Sequence, residues 1–410
     1  MKYYADLHIH SKYSRATSKS MDLPSIAESA KYKGINLLGT GDFTNPGWLY
    51  ELEKNLKPTE REGIYRYNNT DFIPTAEVNN IYNNMGETKK VHSLLILPNF
   101  KLVRKFNKEI RKFGNLESDG RPTLSLTLKE LAEILFSVDP DAILIPAHLW
   151  TPWFGLFGSK SGFDSIEEAF GKYSKKIYAI ETGLSSDPPM NWLLSSLDNI
   201  TLVSNSDAHS PINIGREANC FSKKIDYPEL LEILKKQDSE KLLYTVEFFP
   251  EEGKYHYDGH RKCGITFHPE KSEENNNICP KCGFPLTLGV LHRVYSLADR
   301  KEPKKAGRIS YKHLIPLREI IANSIGLGKK TKTVEEVYQK LTLYFGNEYK
   351  ILLDIPKGDL IRSTDEKTSL SILKVREGKV QIQPGYDGVY GVVSIPDEKN
   401  EKKREQKTLF

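Results

Sequence analysis

Tyr3-Tyr4-Ala5-Asp6-Leu7-His8-Ile9-His10, at the start of a 410-residue chain, alternates its side chains as a half-buried strand does. That alternation puts Asp6, His8 and His10 on one face. Two imidazoles and a carboxylate converging there form half of a divalent-metal site. The competing reading is a strand with incidental histidines, because short motifs match by chance. The rest of the chain decides between them.

Short apolar runs separated by helical spacers follow, the pattern of an α/β fold. Asn36-Leu37-Leu38-Gly39 leads to Asp42, and Asp71-Phe72-Ile73-Pro74-Thr75-Ala76 ends in Glu77. His92 opens the run His92-Ser93-Leu94-Leu95-Ile96-Leu97. Ala142-Ile143-Leu144-Ile145 leads to His148, Ile177-Tyr178-Ala179-Ile180 to Glu181, and Thr201-Leu202-Val203-Ser204 to Asp207 and His209. In a parallel barrel such strand ends share one face, where active sites are built. His92 reaches the same rim if its strand runs antiparallel to that of Glu77. Each residue alone has a bland reading as a core histidine or a cap, but clustered at strand ends they indicate a multi-metal site. Metals roughly 3.5–4 Å apart supply hydroxide and stabilise an in-line displacement at phosphorus. No Ser-His-Asp set or Gly-rich phosphate loop competes, so phosphoester hydrolysis is the expected reaction class.

Two loops on that rim carry further candidates. Leu149-Trp150-Thr151-Pro152-Trp153-Phe154-Gly155-Leu156-Phe157 is either a self-packed lid or a surface for stacking bases. In Ser185-Ser186-Asp187-Pro188-Pro189-Met190-Asn191-Trp192, Asp187 and Asn191 either position substrate or cap the next helix. Arg15 and Arg216, beside ligand motifs, hold phosphates or form surface ion pairs.

The bulk properties agree with this. Net charge is +5, but residues 301–410 hold 22 Lys+Arg against 15 Asp+Glu, leaving the rest near neutral. A basic C-terminal part suits a polyanionic partner, or serves only solubility. No run of ~18 apolar residues occurs and the polar, aromatic N-terminus does not resemble a signal peptide, so no membrane association is expected. Four cysteines, three of them clustered late, fit metal binding in a reducing cytoplasm better than a disulfide scaffold.

After Asp226-Tyr227-Pro228 opens an amphipathic helix ending near Lys236, a strand covers Tyr244-Thr245-Val246-Glu247-Phe248-Phe249. His260-x2-Cys263 and Cys279-x2-Cys282 then have the spacing of a zinc ribbon with one histidine ligand, a closed structural Zn2+ site. His256 and His268 are alternative fourth ligands. Further on, Leu314-Ile315-Pro316-Leu317-Arg318-Glu319-Ile320-Ile321, the turn Gly326-Leu327-Gly328-Lys329-Lys330-Thr331 and a helix from Val334 to Tyr344 resemble half of a helix-hairpin-helix; a plain glycine-rich connection is the alternative. Ser371-Ile372-Leu373-Lys374-Val375 and Val380-Gln381-Ile382-Gln383 read as a hairpin around Glu377-Gly378. Pro384-Gly385-Tyr386-Asp387-Gly388-Val389-Tyr390-Gly391-Val392-Val393 supplies another strand. A charged, disordered tail from Asp397 ends in Gln406-Lys407-Thr408-Leu409-Phe410. That ending resembles the start of a sliding-clamp binding motif but lacks the second aromatic.

The order Asp6-x-His8-x-His10, Asp42, Glu77, His92, His148 and Asp207-x-His209 resembles the PHP (polymerase and histidinol phosphatase) superfamily. The resemblance implies a distorted (β/α)7 barrel that usually holds three divalent metals. Two departures are visible: Thr40-Gly41-Asp42-Phe43 places an aspartate where a histidine ligand is usual, and Ser14 and Arg15 stand where another histidine often follows the first motif. With the ribbon, Tyr255-His256-Tyr257-Asp258-Gly259-His260-Arg261 and Leu297-Ala298-Asp299-Arg300, the chain resembles the endonuclease Q family over nearly its whole length. That resemblance implies a DNA repair nuclease cutting 5′ of deaminated bases (hypoxanthine, uracil, xanthine) or abasic sites, with the lesion flipped into a pocket.

The expected architecture is α/β: a PHP-type barrel over residues 1–225, a linker and zinc ribbon over 226–300, a helical and β DNA-binding part over 301–395, and a tail over 396–410. The expected metal ligands are Asp6, His8, His10, Asp42, Glu77, His92, His148, Glu181, Asp207 and His209, holding two to three divalent ions (Zn2+, Mg2+ or Mn2+), with Asp187, Asn191, Arg15 and Arg216 as substrate-positioning candidates. The expected partner is damaged DNA. A small-molecule phosphatase of the histidinol-phosphate kind is the alternative enzyme, and a nucleic-acid binding module with a degenerate metal site the alternative class.

Overall fold

The computed structural model describes residues 2–396. Its centre is a mixed eight-stranded sheet in the order Ser310–His313, Leu242–Glu247, Ala218–Phe221, Tyr3–Asp6, Leu37–Gly39, Thr70–Ile73, Tyr65–Tyr67, Lys57–Pro58. Tyr3–Asp6, Leu37–Gly39 and Thr70–Ile73 run parallel, while Ala218–Phe221 is antiparallel to Tyr3–Asp6. Pro74, which has no N–H for a ladder, separates Thr70–Ile73 from Thr75–Asn84. Thr75–Asn84 pairs antiparallel with Glu87–Ile96, in register Glu77 to Leu94, and Ile143–Pro146 continues that sheet. Ala179–Glu181 and Thr201–Val203 form a parallel pair. The strands do not join into one closed sheet among the described residues, so the architecture is a mixed α/β fold.

Alternation explains the packing. Tyr3, Ala5, Leu37, Ile73, Leu94 and Ile143 turn to one buried cluster, capped by helix Tyr227–Lys236. Tyr4, Leu38, Phe72 and Val91 turn the other way, onto the helices. Helix Leu23–Lys33 illustrates how these form: Asp22 caps it by accepting from Ser25 N–H at 3.0 Å, and Gly34 ends it at φ 92°. Its Leu23, Ile26, Ala27 and Ala30 are buried, each fully buried Leu or Ile contributing about 1.5–3 kcal/mol.

Two expectations change. Residues 371–375 are not a strand but the end of helix Glu366–Arg376, capped by Asp365. Thr368, Ile372 and Val375 recur at helical spacing and are buried, which outweighs their β propensity. The hairpin forms instead between Gln381–Gln383 and Val392–Ser394. The strands Leu242–Glu247 and Ser310–His313, from segments expected beyond the first domain, extend the main sheet. Among the described residues no helix is long and apolar enough to cross a membrane. The segment 397–410, with its clamp-like ending, lies outside the described residues.

Glu217 and Glu247 are buried at the sheet end, behind Glu181. Burial raises Glu247 to about 7 despite hydrogen bonds from Thr245 and Thr182. Burial, then the charge of Glu247, raises Glu217 well above its ordinary value. The native state therefore binds this proton more tightly than the unfolded chain, and the stability it confers declines as pH rises from 4.5 to about 7. Glu247→Gln, neutral throughout, should melt close to wild type near pH 4.5 and above it at pH 8. Thermal unfolding across that range checks this; a pH-independent difference contradicts it.

Candidate metal centre

The Tyr3–Asp6 strand ends before the histidines, so the simple alternation stops there. The Asp6 carboxylate accepts from Ser206 N–H at 3.0 Å and Gly215 N–H at 2.9 Å, tying down neighbouring loops instead of joining the imidazoles. Beyond it Ile9 bridges Ala208, which brings the His8–His10 and Asp207–His209 segments side by side. His8, His10, Glu77 and Asp207 form one group whose donor atoms lie within 4.8 Å of one another; Glu77, His92 and His148 form a second.

Glu77 belongs to both. Its Oε2 lies 3.2 Å from His10 Nε2 and 3.5 Å from His8 Nε2, and its Oε1 lies 2.8 Å from His92 Nδ1 and 3.1 Å from His148 Nε2. Asp207 Oδ1 completes the first group, 3.0 Å from His10 Nε2. The antiparallel pairing expected from the sequence is what carries His92 to this rim.

The outer nitrogens are held in turn. His8 Nδ1 lies 3.0 Å from Glu181 Oε2, and His10 Nδ1 lies 3.0 Å from Asp42 Oδ1. Glu181 also accepts from His148 N–H at 2.8 Å and from Asn205 Nδ2 at 2.9 Å. Carboxylates behind metal-facing imidazoles fix ring orientation and tautomer. Asp42 and Glu181, expected as ligands, therefore lie outside the two groups, behind the rings of His10 and His8. Asp42 Oδ2 is further occupied by Ser11 N–H, Ser11 Oγ and Ser14 Oγ, at 2.6, 2.7 and 2.9 Å. The two departures from the superfamily pattern, Asp42 and Ser14, are thus hydrogen-bonded to each other. His209 packs its ring on His10, with centroids 4.4 Å apart, at the edge of the first group.

Charge explains why these donors suit cations. Burial disfavours charged His8, but Glu181 and Glu77 outweigh it and lift its pKa well above the ordinary value; Asp42 and Asp207 do the same for His10. His8 Nε2 is buried without a hydrogen-bond partner. An orphaned nitrogen among surplus carboxylates fits a divalent ion. The backbone is strained as well: Asp42, His148 and Asp207 have φ of 49°, 30° and 47°, which costs about 1–3 kcal/mol each and is typical of functional sites. Gly183 is required beside them, since a Cβ there would lie 2.6 Å from that of His148.

The four substrate-positioning candidates are placed differently. Asp187 caps Pro188–Asn191 through Met190 N–H and pairs with His313 at 3.2 Å. Asn191 is fully buried, accepting from Trp150 Nε1 at 2.8 Å and donating to Ser186 and Asp187. Arg216 spends its guanidinium on the Ser206 carbonyl. Arg15 alone of the four lines the cleft of about 490 Å³ over the groups, with an exposed side chain near Asp119.

Sequence reasoning missed Arg121, whose guanidinium lies 3.0 Å from Glu77 Oε2 and lines the same cleft. It sits in Asp119-Gly120-Arg121-Pro122, a loop without a ligand motif. The only signal was Gly120, which lets the loop press against Asp42; a Cβ there would lie 2.3 Å from Asp42 Oδ2. The aromatic loop divides in two: Trp150 and Phe157 are buried, whereas Trp153 is 51% exposed and Phe154 stacks on His92 at 4.5 Å.

Away from the cleft, His260, Cys263, Cys279 and Cys282 form a third group within 4.8 Å. His256 and His268 are not in it; they pack instead against Tyr257 and Tyr295.

Paired histidine–carboxylate groups sharing one glutamate, at the strand ends of an α/β fold, define a metal-dependent hydrolase. Comparison with known proteins narrows this. The chain is 37% identical to the lesion-specific endonuclease PfuEndoQ from Pyrococcus furiosus, with a TM-score of 0.87, covering 100% of this chain and 99% of that one. A structure of endonuclease Q in complex with a 27-mer duplex substrate carrying an abasic lesion at the active site matches at 38% identity and a TM-score of 0.84, over 97% and 98% of the two chains. The uncharacterized protein YqxK of Bacillus subtilis is 32% identical over 96% of this chain and 99% of its own. Residues 316–379 match the MJ0043 C-terminal domain family. The chain belongs to the endonuclease Q family.

If Asp42 acts behind His10, Asp42→Ala should lower divalent-ion affinity at the cleft about 10–100-fold, leaving the equivalent held by the cysteines unchanged. Elemental analysis after dialysis against graded chelator checks both; loss of the cysteine-held equivalent would indicate general unfolding.

Proposed function

We propose that this chain is a DNA repair endonuclease that hydrolyses the phosphodiester 5′ of a deaminated base (hypoxanthine, uracil or xanthine) or of an abasic site. The observation that carries the reading is Glu77, whose two oxygens each face a separate set of imidazoles. The related complex with a lesion-bearing duplex supports damaged DNA as the substrate.

His8, His10, Glu77 and Asp207 would hold one divalent ion, and Glu77, His92 and His148 a second. The imidazole-rich sets suit Zn2+, and their carboxylates also admit Mg2+ or Mn2+. Such a pair, when bound, activates water and offsets charge on both oxygens of an in-line displacement. A third ion is not part of the reading, because Asp42 is consumed by His10, Ser11 and Ser14. Arg121 keeps Glu77 in place and, with Arg15, presents positive charge to a phosphate in the cleft. Trp153, exposed above that cleft, offers a face for a base.

The remaining parts fit the same task. The strands surround one apolar cluster as those of a distorted barrel do. The His260, Cys263, Cys279 and Cys282 group has the donors of a structural zinc ribbon. Helices Leu317–Ile325 and Lys332–Phe345 join through a lysine-bearing turn whose amides suit a DNA phosphate. Binding of a sliding clamp by Gln406 to Phe410 and a cytoplasmic location complete the proposal.

The test is incubation with divalent metal and duplexes carrying one hypoxanthine, uracil or abasic site. Strand cleavage 5′ of the lesion is expected, with Arg121→Ala slowing it about 100-fold or more. Equal cleavage of undamaged duplex overturns lesion specificity; brisk phosphate release from small monoesters without strand cleavage favours the phosphatase.

A further inference from the structure

Trp153 stands between two cavities. On one side is the cleft over the metal groups; on the other is an open cavity of about 810 Å³ walled by residues 87–90, residues 158–164 and Arg293. Its volume lies within the ~300–1,000 Å³ range of ligand pockets. Its lining is predominantly polar, and its charged groups divide into spent and unspent.

Lys89 is spent: its Nζ donates to Glu87 at 2.9 Å and to the Gly162 carbonyl at 2.7 Å. Arg293 is spent on the Phe157 and Phe163 carbonyls, at 3.0 and 3.1 Å, and on Asp164 at 2.5 Å. Glu168 accepts from Asp164 N–H at 3.1 Å. Every acid on the wall is therefore engaged by a donor of the wall. Among the described residues, Lys90 and Lys160 have no such carboxylate. Lys90 Nζ lies over the Trp153 ring, 5.0 Å from its centroid, and Lys160 is exposed at the rim. The loop bearing Lys160 is fastened to the Glu87–Ile96 strand bearing Lys90: Lys90 N–H donates to the Ser161 carbonyl, Ser161 Oγ to the Lys90 carbonyl, and His92 N–H to the Phe154 carbonyl.

We infer that this second cavity seats the DNA strand flanking the scissile phosphate, with Lys90 and Lys160 contacting its phosphates and Trp153 parting the flank from the lesion nucleotide. An exposed indole with one unspent ammonium beside it and a second at the cavity rim is the stacking-plus-charge arrangement that tracks a nucleic-acid strand. Trp153 lines both the cavity and the cleft, so a strand leaving the cleft past that side chain meets the cavity next. The inference rests on the endonuclease reading above and adds where one flank runs.

Single-turnover cleavage with graded enzyme tests it on a long lesion duplex and on two duplexes, each shortened to a few pairs on one side of the lesion. On the long duplex, Lys90→Gln with Lys160→Gln should raise the half-saturating enzyme concentration and lower the salt dependence of binding by about one logarithmic unit per lysine. Wild type and variant should converge on one of the shortened duplexes and remain apart on the other. A defect of equal size on all three, or none on any, overturns the inference. Lys160→Gln alone, at an exposed side chain, answers the question if the double variant does not fold. Failure of the endonuclease reading would appear separately, as absence of lesion cleavage by the wild type.

Discussion

The Glu77 carboxylate is the constraint on which the centre depends. It is buried, both oxygens face imidazole nitrogens, and Arg121 is the nearest fixed positive charge. Removing one partner from a buried ion pair typically costs about 3–5 kcal/mol, so the surroundings of Glu77 must supply positive charge. The Arg121 guanidinium and imidazoles with raised pKa values do so. Divalent ions would satisfy the same demand more fully, and Glu77 is the residue that joins the two groups.

That demand spreads outward. Imidazoles are useful only if their rings are aimed, and the aiming is done by Asp42, Glu181 and Thr151, which meet the outer nitrogens of His10, His8 and His148. Glu181 ends its own strand, and Asp42 and Thr151 lie on loops that follow two others. They converge because the strands are stacked in register and because Asp42, His148 and Asp207 accept unfavourable backbone angles. Behind them, Glu181, Asn205, Asn219 and Ser204 form a buried hydrogen-bonded chain that fixes the floor of the centre. Asp42, where a histidine was expected, meets His10 with one oxygen and Ser11 and Ser14 with the other.

The later parts of the chain are fastened to this centre. Arg293, from helix Val290–Leu297, holds the Phe157 carbonyl of the aromatic loop and the Phe163 carbonyl beyond it, and Asp258, on the strand leading to His260, fixes Gly289 and His292 at the start of that helix. A continuous set of contacts thus runs from the cysteine group to the loop that stacks Phe154 on His92. The strands Leu242–Glu247 and Ser310–His313 bind the same region to the main sheet. What looks modular along the sequence is interleaved in space.

Much of the centre was legible in the sequence, because its ligands follow apolar runs and strand ends are local. Glu77, His148 and Asp207 could be read in this way, His8 and His10 from strand alternation and His92 from antiparallel pairing of its strand, as could the two knuckles His260-x2-Cys263 and Cys279-x2-Cys282, whose spacing is itself the geometry. The division between ligands and supports was not legible. Asp6, Asp42 and Glu181 differ from the residues of the two groups in being held by backbone N–H groups distant in the chain. Asp187 and Asn191 were consumed by a cap and a buried network that depend on Trp150 and His313, distant in sequence. Arg121 had no motif at all and arrives through the close approach that Gly120 allows. Residues 371–375 became helix because their apolar positions face a helical neighbour rather than a sheet. The sequence by itself determined which chemistry is present and near which strand ends, since both follow from local periodicity. Only the tertiary structure decided which carboxylates meet the cations and which hold the imidazoles, since that depends on non-local packing.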